Sequence, residues 1–255
     1  MRNFFLLPLL IISLNVTAQE LGSMYVAAKT GLSIREKPEA GAKVLDKIPY
    51  GTKISLIWQD EELKSITTEG ISGYWQKVKY NNKTGYIIDS YLFPWPPPKL
   101  ATVKEMKNYF AQVTVPFGSK LLVKSGSMNN IEEDGWELTK QLYKNGAEWH
   151  GLNGYEYGSD AYFLPGFTIE KGFLLLRLIP EFKAVFAEKD EFPTENKTFK
   201  KGDVEYTITV NKLVWEGQTH PMIEKIHVEF SPDVSFVFDM YMVDNQLVIS
   251  FGSGV

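Results

Sequence analysis

The chain carries three histidines, His150, His220 and His227, and no cysteine. Those two facts bound its chemistry. Without a thiol there is no cysteine nucleophile, no disulfide framework, no Cys-ligated zinc and no lipidated cysteine. A helical zinc site of the H-E-x-x-H kind needs two histidines four apart, and no pair has that spacing. A serine on a strand-to-helix elbow would read G-x-S-x-G, which does not occur. The Gly-rich run Ser250-Phe251-Gly252-Ser253-Gly254 has no lysine and no following helix to cradle a phosphate. Carboxylates cluster at Glu132-Glu133-Asp134 and at Glu188, Asp190 and Glu191. A glycosidase pair must face across a groove at about 5–9.5 Å. Beside Gly135 and Pro193 these runs read instead as solvated loops.

What the sequence offers in quantity is aromatic surface: 13 Tyr and 6 Trp. Tyr25, Tyr50, Trp58, Tyr74, Trp75, Tyr86 and Tyr91 crowd one short stretch, more rings than so small a unit needs inside. Tyr and Trp give rigid contact area with a polar tip, which suits a peptide or a sugar in an exposed groove.

The elements that must position those rings are short strands. Leu32 and Ile34 alternate, as do Ile54, Leu56 and Trp58. Pro49-Tyr50-Gly51 marks a turn, and Asn81-Asn82-Lys83 suits a hairpin. Strands this short bury enough surface only when rolled into a small barrel. Trp75 and Val78 lie three apart, so a regular strand sends them to opposite faces unless it bulges.

Four pieces follow in order: Leu32-Ser33-Ile34-Arg35-Glu36-Lys37-Pro38, Ile48-Pro49-Tyr50-Gly51, Trp75-Gln76-Lys77-Val78 and Gly85-Tyr86-Ile87-Ile88-Asp89-Ser90-Tyr91-Leu92. In that spacing residues 24–93 resemble a bacterial SH3 (SH3b) domain. The resemblance implies a small β-barrel, found mostly in exported proteins, that can bind wall peptides. It also implies that Trp75 and Tyr86 stand at motif positions, where a ring can serve either core or groove. Trp58, Tyr74 and Tyr91 are the further candidates for ligand contact. Arg35, the motif arginine, is expected to pin backbone carbonyls with its planar fork. Papain-like wall enzymes often carry such domains, but they need a cysteine that this chain lacks.

Residues 1–18 read as a signal peptide: Arg2, an apolar run from Phe4 to Leu14, and Val16-Thr17-Ala18 before the cut. That run is shorter than the roughly 20 residues a span requires, and no later segment is a transmembrane candidate. Residues 94–99, beginning Pro94-Trp95-Pro96-Pro97-Pro98, read as a stiff, extended linker. Residues 100–255 read as an α+β domain of unknown function. Thr102 and Glu105 have capping-box spacing for a helix near 103–112. Thr168 caps a second helix running to about Leu178, apolar all round at Phe173–Leu176. Strands are expected at 121–123, 136–138, 141–143, 155–157 and 161–164, with turns at Lys144-Asn145-Gly146 and Leu152-Asn153-Gly154. A closing meander is expected from Val204 onward.

The fold class is therefore mainly β: a small SH3-like barrel followed by an antiparallel sheet with about two helices. At 44% hydrophobic and 23% charged residues the chain can bury a core. A net charge of −4 lacks the concentrated basic face that nucleic acid demands. The functional expectation is an exported bacterial envelope protein, periplasmic or secreted, that is not an enzyme and holds no cofactor or metal. Its partner would be a short peptide, a peptidoglycan stem peptide or a segment of another protein. Two other readings stand beside it: an envelope hydrolase with a carboxylate/His site in the C-terminal domain, and an assembly or anchoring protein.

Overall fold

The computed structural model describes residues 20–129, 133–214 and 222–254. The expected signal peptide, Glu132 and His220 lie outside those residues. The described chain is mostly β, in two antiparallel sheets with two α-helices.

The N-terminal sheet comprises β1 (Glu20–Val26), β2 (Leu32–Arg35), β3 (Val44–Ile48), β4 (Lys53–Ile57), β5 (Ser65–Thr68), β6 (Ile71–Tyr80), β7 (Lys83–Ile88) and β8 (Leu92–Phe93). They pair in the order β3-β2-β7-β6-β4-β1-β8, with β5 hydrogen-bonded to β6. The sheet rolls around Val26, Leu32, Ile34, Ile48, Ile54, Val78, Ile87 and Leu92. The β6–β7 hairpin turns on Asn81 and Asn82, both at positive φ, which asparagine tolerates and which matches the strand twist.

The second sheet takes nine strands. Four come first: β9 (Pro116–Ser125), β10 (Trp136–Tyr143), β11 (Glu148–Gly154) and β12 (Tyr157–Pro165). Five follow: β13 (Lys197–Lys201), β14 (Val204–Leu213), β15 (Met222–Phe230), β16 (Ser235–Val243) and β17 (Gln246–Gly254). Each set is a meander, and β17 joins them by pairing with β12 in the order β13-β14-β15-β16-β17-β12-β11-β10-β9.

Helix α1 (Met106–Val113) precedes β9, and α2 (Ile169–Leu176) follows β12. Thr168 caps α2 as expected, accepting from Lys171 N. Every α2 residue except Glu170 and Lys171 is buried, and Gly172 lets the helix settle on the sheet: a Cβ there would lie 2.3 Å from Leu247 Cδ2. A one-turn 3-10 helix, Pro180–Phe182, follows.

Four expectations need correction, one of them the strand at 155–157, where Tyr155 and Glu156 instead form the bend between β11 and β12. Helix α1 starts three residues late, because Glu105 and Asn108 form the reciprocal capping box, while Thr102 closes a turn back to Lys99. Residues 136–143 form one strand rather than two. Leu152-Asn153-Gly154 is not a turn but the end of β11. Gly154 is there to admit a ring, since a Cβ would sit 2.1 Å from Tyr157 Cζ.

The two sheets share a core. Ala27, Ile71 and Phe93 of the barrel belong to the same buried cluster as α1, α2 and the inner face of the second sheet. The prolines between them are packed: Pro97 and Pro98 are buried. Tyr109 Oη donates to Pro96 O at 3.2 Å, and Tyr50 Oη to Pro98 O at 2.7 Å. Trp95 packs edge-on against Phe110 and Phe167.

Candidate functional site

Strand β6 explains where the aromatic side chains go. Gln76 and Val78 face the barrel interior, while Ile71, Gly73 and Trp75 are buried on the other side. Trp75 and Val78 thus do face opposite ways, and both are sealed because the second domain covers the outside of this strand. Trp75 is 3% exposed.

Trp75 and Tyr91 line one cleft of about 390 Å³ between the barrel and α2. Its barrel wall also includes Lys29, Gly31, Ser33 and Arg35, and its far wall Leu174, Arg177, Leu178 and Glu188. Arg35 donates from Nη1 to Ala42 O at 2.8 Å, the carbonyl-pinning role expected of it. Gly31, at φ 82°, lets the loop pass close to β3: a Cβ would stand 2.7 Å from Ile48 O.

An ionic chain closes the rim. Arg177 Nη1 donates to Glu69 Oε2 at 2.6 Å, and its Nη2 donates to the Glu188 carbonyl. Lys29 Nζ meets Glu188 Oε1 at 2.8 Å. The Lys29 hydrogen bond and charge hold the Glu188 carboxyl below its usual range. Burial, then the negative Glu69 beside it, pushes the Tyr91 phenol up to about 12, so it stays a neutral donor at physiological pH. Deeper in the junction, burial raises the Asp89 carboxyl, although it accepts from Tyr74 N at 2.7 Å. Burial likewise lowers the Lys171 ammonium.

The other sequence candidates lie outside this cleft. Trp58 is 54% and Tyr74 47% exposed. Trp58 Nε1 donates to Asp60 at 2.9 Å, and Tyr74 lies beside Trp75 on β6 but points to solvent. Tyr86 is half-buried on β7 opposite Arg35. Lys29, Glu69, Arg177 and Glu188 were missed. Lys29 and Glu69 sit in ordinary turn sequence, and Arg177 and Glu188 reach the cleft only through the tertiary fold.

His150 and His227 line neither this cleft nor the larger cavity of the second sheet, and lie on that sheet's solvent face. His150 Nε2 lies 3.0 Å from Glu148, which also binds Lys140 at 2.7 Å. His227 has a carboxylate on each ring nitrogen, Asp239 at 2.7 Å and Glu229 at 2.9 Å. Among the described residues no group of histidines and carboxylates is arranged to hold a metal ion. Nor is any helix among them long and apolar enough to cross a membrane.

A second and larger cavity, about 800 Å³, runs along the inner face of the second sheet. Trp149 lies flat over β11, because Gly151 leaves room: a Cβ would be 2.6 Å from its Cζ2. Trp149 Nε1 donates to Asp160 Oδ1 at 2.5 Å, and Lys107 Nζ stands 3.4 Å from Asp160 Oδ2. Glu181 accepts from Met106 N at 2.8 Å. Burial, then the negative Glu105 and Asp160 nearby, raises its pKa against that hydrogen bond.

Comparison with curated proteins and with solved structures gave no match. Comparison with protein families gave one, over the stretch that carries Arg35, Trp75, Tyr86 and Tyr91: residues 30–93 match the bacterial SH3 domain family, so the N-terminal barrel, about a quarter of the chain, is a bacterial SH3 domain.

Proposed function

We propose that this is an exported, non-enzymatic envelope protein whose SH3 barrel recognises a short peptide, derived from the wall or from a protein partner. A bacterial SH3 domain is a peptide- or wall-binding module, and the finer reading rests on one observation. Two rings from the family stretch, Trp75 and Tyr91, share a cleft with Arg177 and Glu188 of the other domain. The site is composite: the barrel supplies the half-buried Tyr91 over a sealed Trp75 and the loop from Lys29 to Ser33, and α2 with the residues after it supplies an opposite wall. A peptide lying there would meet apolar surface from Leu174 and Leu178, with charged groups of both signs at the rim. That combination suits a ligand carrying both a carboxylate and an amine, as peptidoglycan stem peptides do.

The test is retention of the purified protein on peptidoglycan, with calorimetry against soluble stem peptides. Retention is expected, with Arg177→Ala weakening it about tenfold, the scale of one charge-assisted contact. Trp58→Ala should change it little. No retention by any form sinks the wall-peptide reading. Loss with Trp58→Ala or Tyr74→Ala but not Arg177→Ala would move the site to the exposed rings.

One observation favours assembly as a second reading. Strand β9 is an edge strand exposed along its whole length, with Phe117, Leu121, Leu122 and Val123 facing solvent. A free, apolar edge is a template for strand addition.

A further inference from the structure

The cavity on the inner face of the second sheet extends across the strands and has only three charged side chains in its lining, Lys107, Asp160 and Glu181. Its lining crosses six strands, from Trp149 on β11 through β12, β17, β16 and β15 to Tyr206 on β14. Six strands at about 4.8 Å spacing span about 24 Å. The cavity volume is about 800 Å³. It falls within the roughly 300–1,000 Å³ of small-molecule sites.

The far end is hydrocarbon. Tyr206, Phe230 and Phe236 stack across β14, β15 and β16 at centroid separations of 4.7 and 5.1 Å. Rings engaged with one another in this way turn edges, not faces, to the cavity, which suits an alkyl chain better than a flat aromatic ligand. Phe182, Ala184 and Val185 of the loop after α2 form the opposite wall. At the near end Asp160 pairs with Lys107 at 3.4 Å beside the Trp149 indole, and Glu181 lines the same cavity. Two carboxylates against one ammonium leave that end negative. Lys120 also stands over Trp149, 5.2 Å from its centroid, but does not line the cavity.

We infer that this groove binds a single-chain amphiphile with an ammonium-bearing head, its hydrocarbon laid along Phe251, Phe236 and Tyr206 and its head between Asp160 and Glu181. A free fatty acid would bring a third carboxylate to a mouth that already holds two, which disfavours it. The inference is independent of the peptide reading of the barrel cleft.

The test is calorimetry of the purified protein with dodecylammonium, dodecanoate and butylammonium, each below its micelle concentration. Dodecylammonium should bind saturably and at least tenfold tighter than dodecanoate, and butylammonium should not bind. The double variant Asp160→Asn/Glu181→Gln, in which the glutamine can still accept from Met106 N, should erase the preference for ammonium. Ala184→Trp, which fills the groove from an exposed position, should abolish binding of both chains without moving the melting temperature or the retention on peptidoglycan. Equal or tighter binding of dodecanoate overturns the inference. So does absence of saturable binding, or full affinity in a correctly melting Ala184→Trp protein.

Discussion

His227 stands between two carboxylates, Asp239 and Glu229, so its protonation bears on stability. Its own burial would lower its pKa, but hydrogen bonds to Glu229 and Asp239, and their charges, outweigh that and raise it. A histidine held above its unfolded value stabilises the native state fully below about pH 6.5 and ceases to as pH rises through the folded pKa. Urea denaturation across that window should show stability falling by under about 1 kcal/mol, the scale of partly exposed ion pairs. His227→Gln should remove that pH dependence. A wild-type profile that rises instead would contradict the assignment.

Side chains also show what the sequence made legible and what it did not. Trp75 and Tyr86 were identifiable because they stand at motif positions, and Tyr91 as one of the surplus rings, yet only Trp75 and Tyr91 reach the cleft. Trp58 and Tyr74 were identifiable only as surplus rings, and they are exposed. Arg177 carried no signal at all: its neighbours spell a buried helix, and its partner Glu69 lies in a hairpin turn of the other domain. Trp149 and Asp160 were equally silent, because neighbouring strands bring them together and no short motif does.

At the level of elements, the two borders of the nine-stranded sheet are treated differently. Strand β13 carries Lys197, Lys200 and Lys201, the usual guard against edge pairing. Strand β9 is twice as long and exposes three consecutive apolar residues, Leu121-Leu122-Val123. Its apparent mass by light scattering should therefore rise with concentration, and Leu122→Lys should weaken that association about tenfold or more. A monomer at every concentration would remove self-pairing through this edge. Most elements were readable where periodicity was clean, as in β14 to β17 and α2. Strand β11 was not: its glycines look like turn signals, yet Gly151 and Gly154 are small to admit the rings of Trp149 and Tyr157.

Across the whole molecule, barrel and sheet domain should unfold together. Phe93 packs 5.3 Å from Phe167, and Ile71 and Ala27 lie in the larger core. Tryptophan fluorescence and far-ultraviolet dichroism should give coincident urea transitions. Phe93→Ala should cost about 3–5 kcal/mol while keeping a single transition. Two separated transitions in the wild type would show that the shared core does not couple the halves. The proline segment made this coupling hard to foresee, since composition alone reads as a spacer, whereas Tyr50 and Tyr109 anchor its carbonyls to both domains.

The placement of β17 has a kinetic corollary. This strand follows the others in the chain yet sits mid-sheet, with β16 on one flank and β12 on the other. Until it emerges from the ribosome the two meanders have no common seam, and closing it brings together segments far apart in sequence, a slow class of contact. A nascent chain would stay open and threadable until β17 has been made.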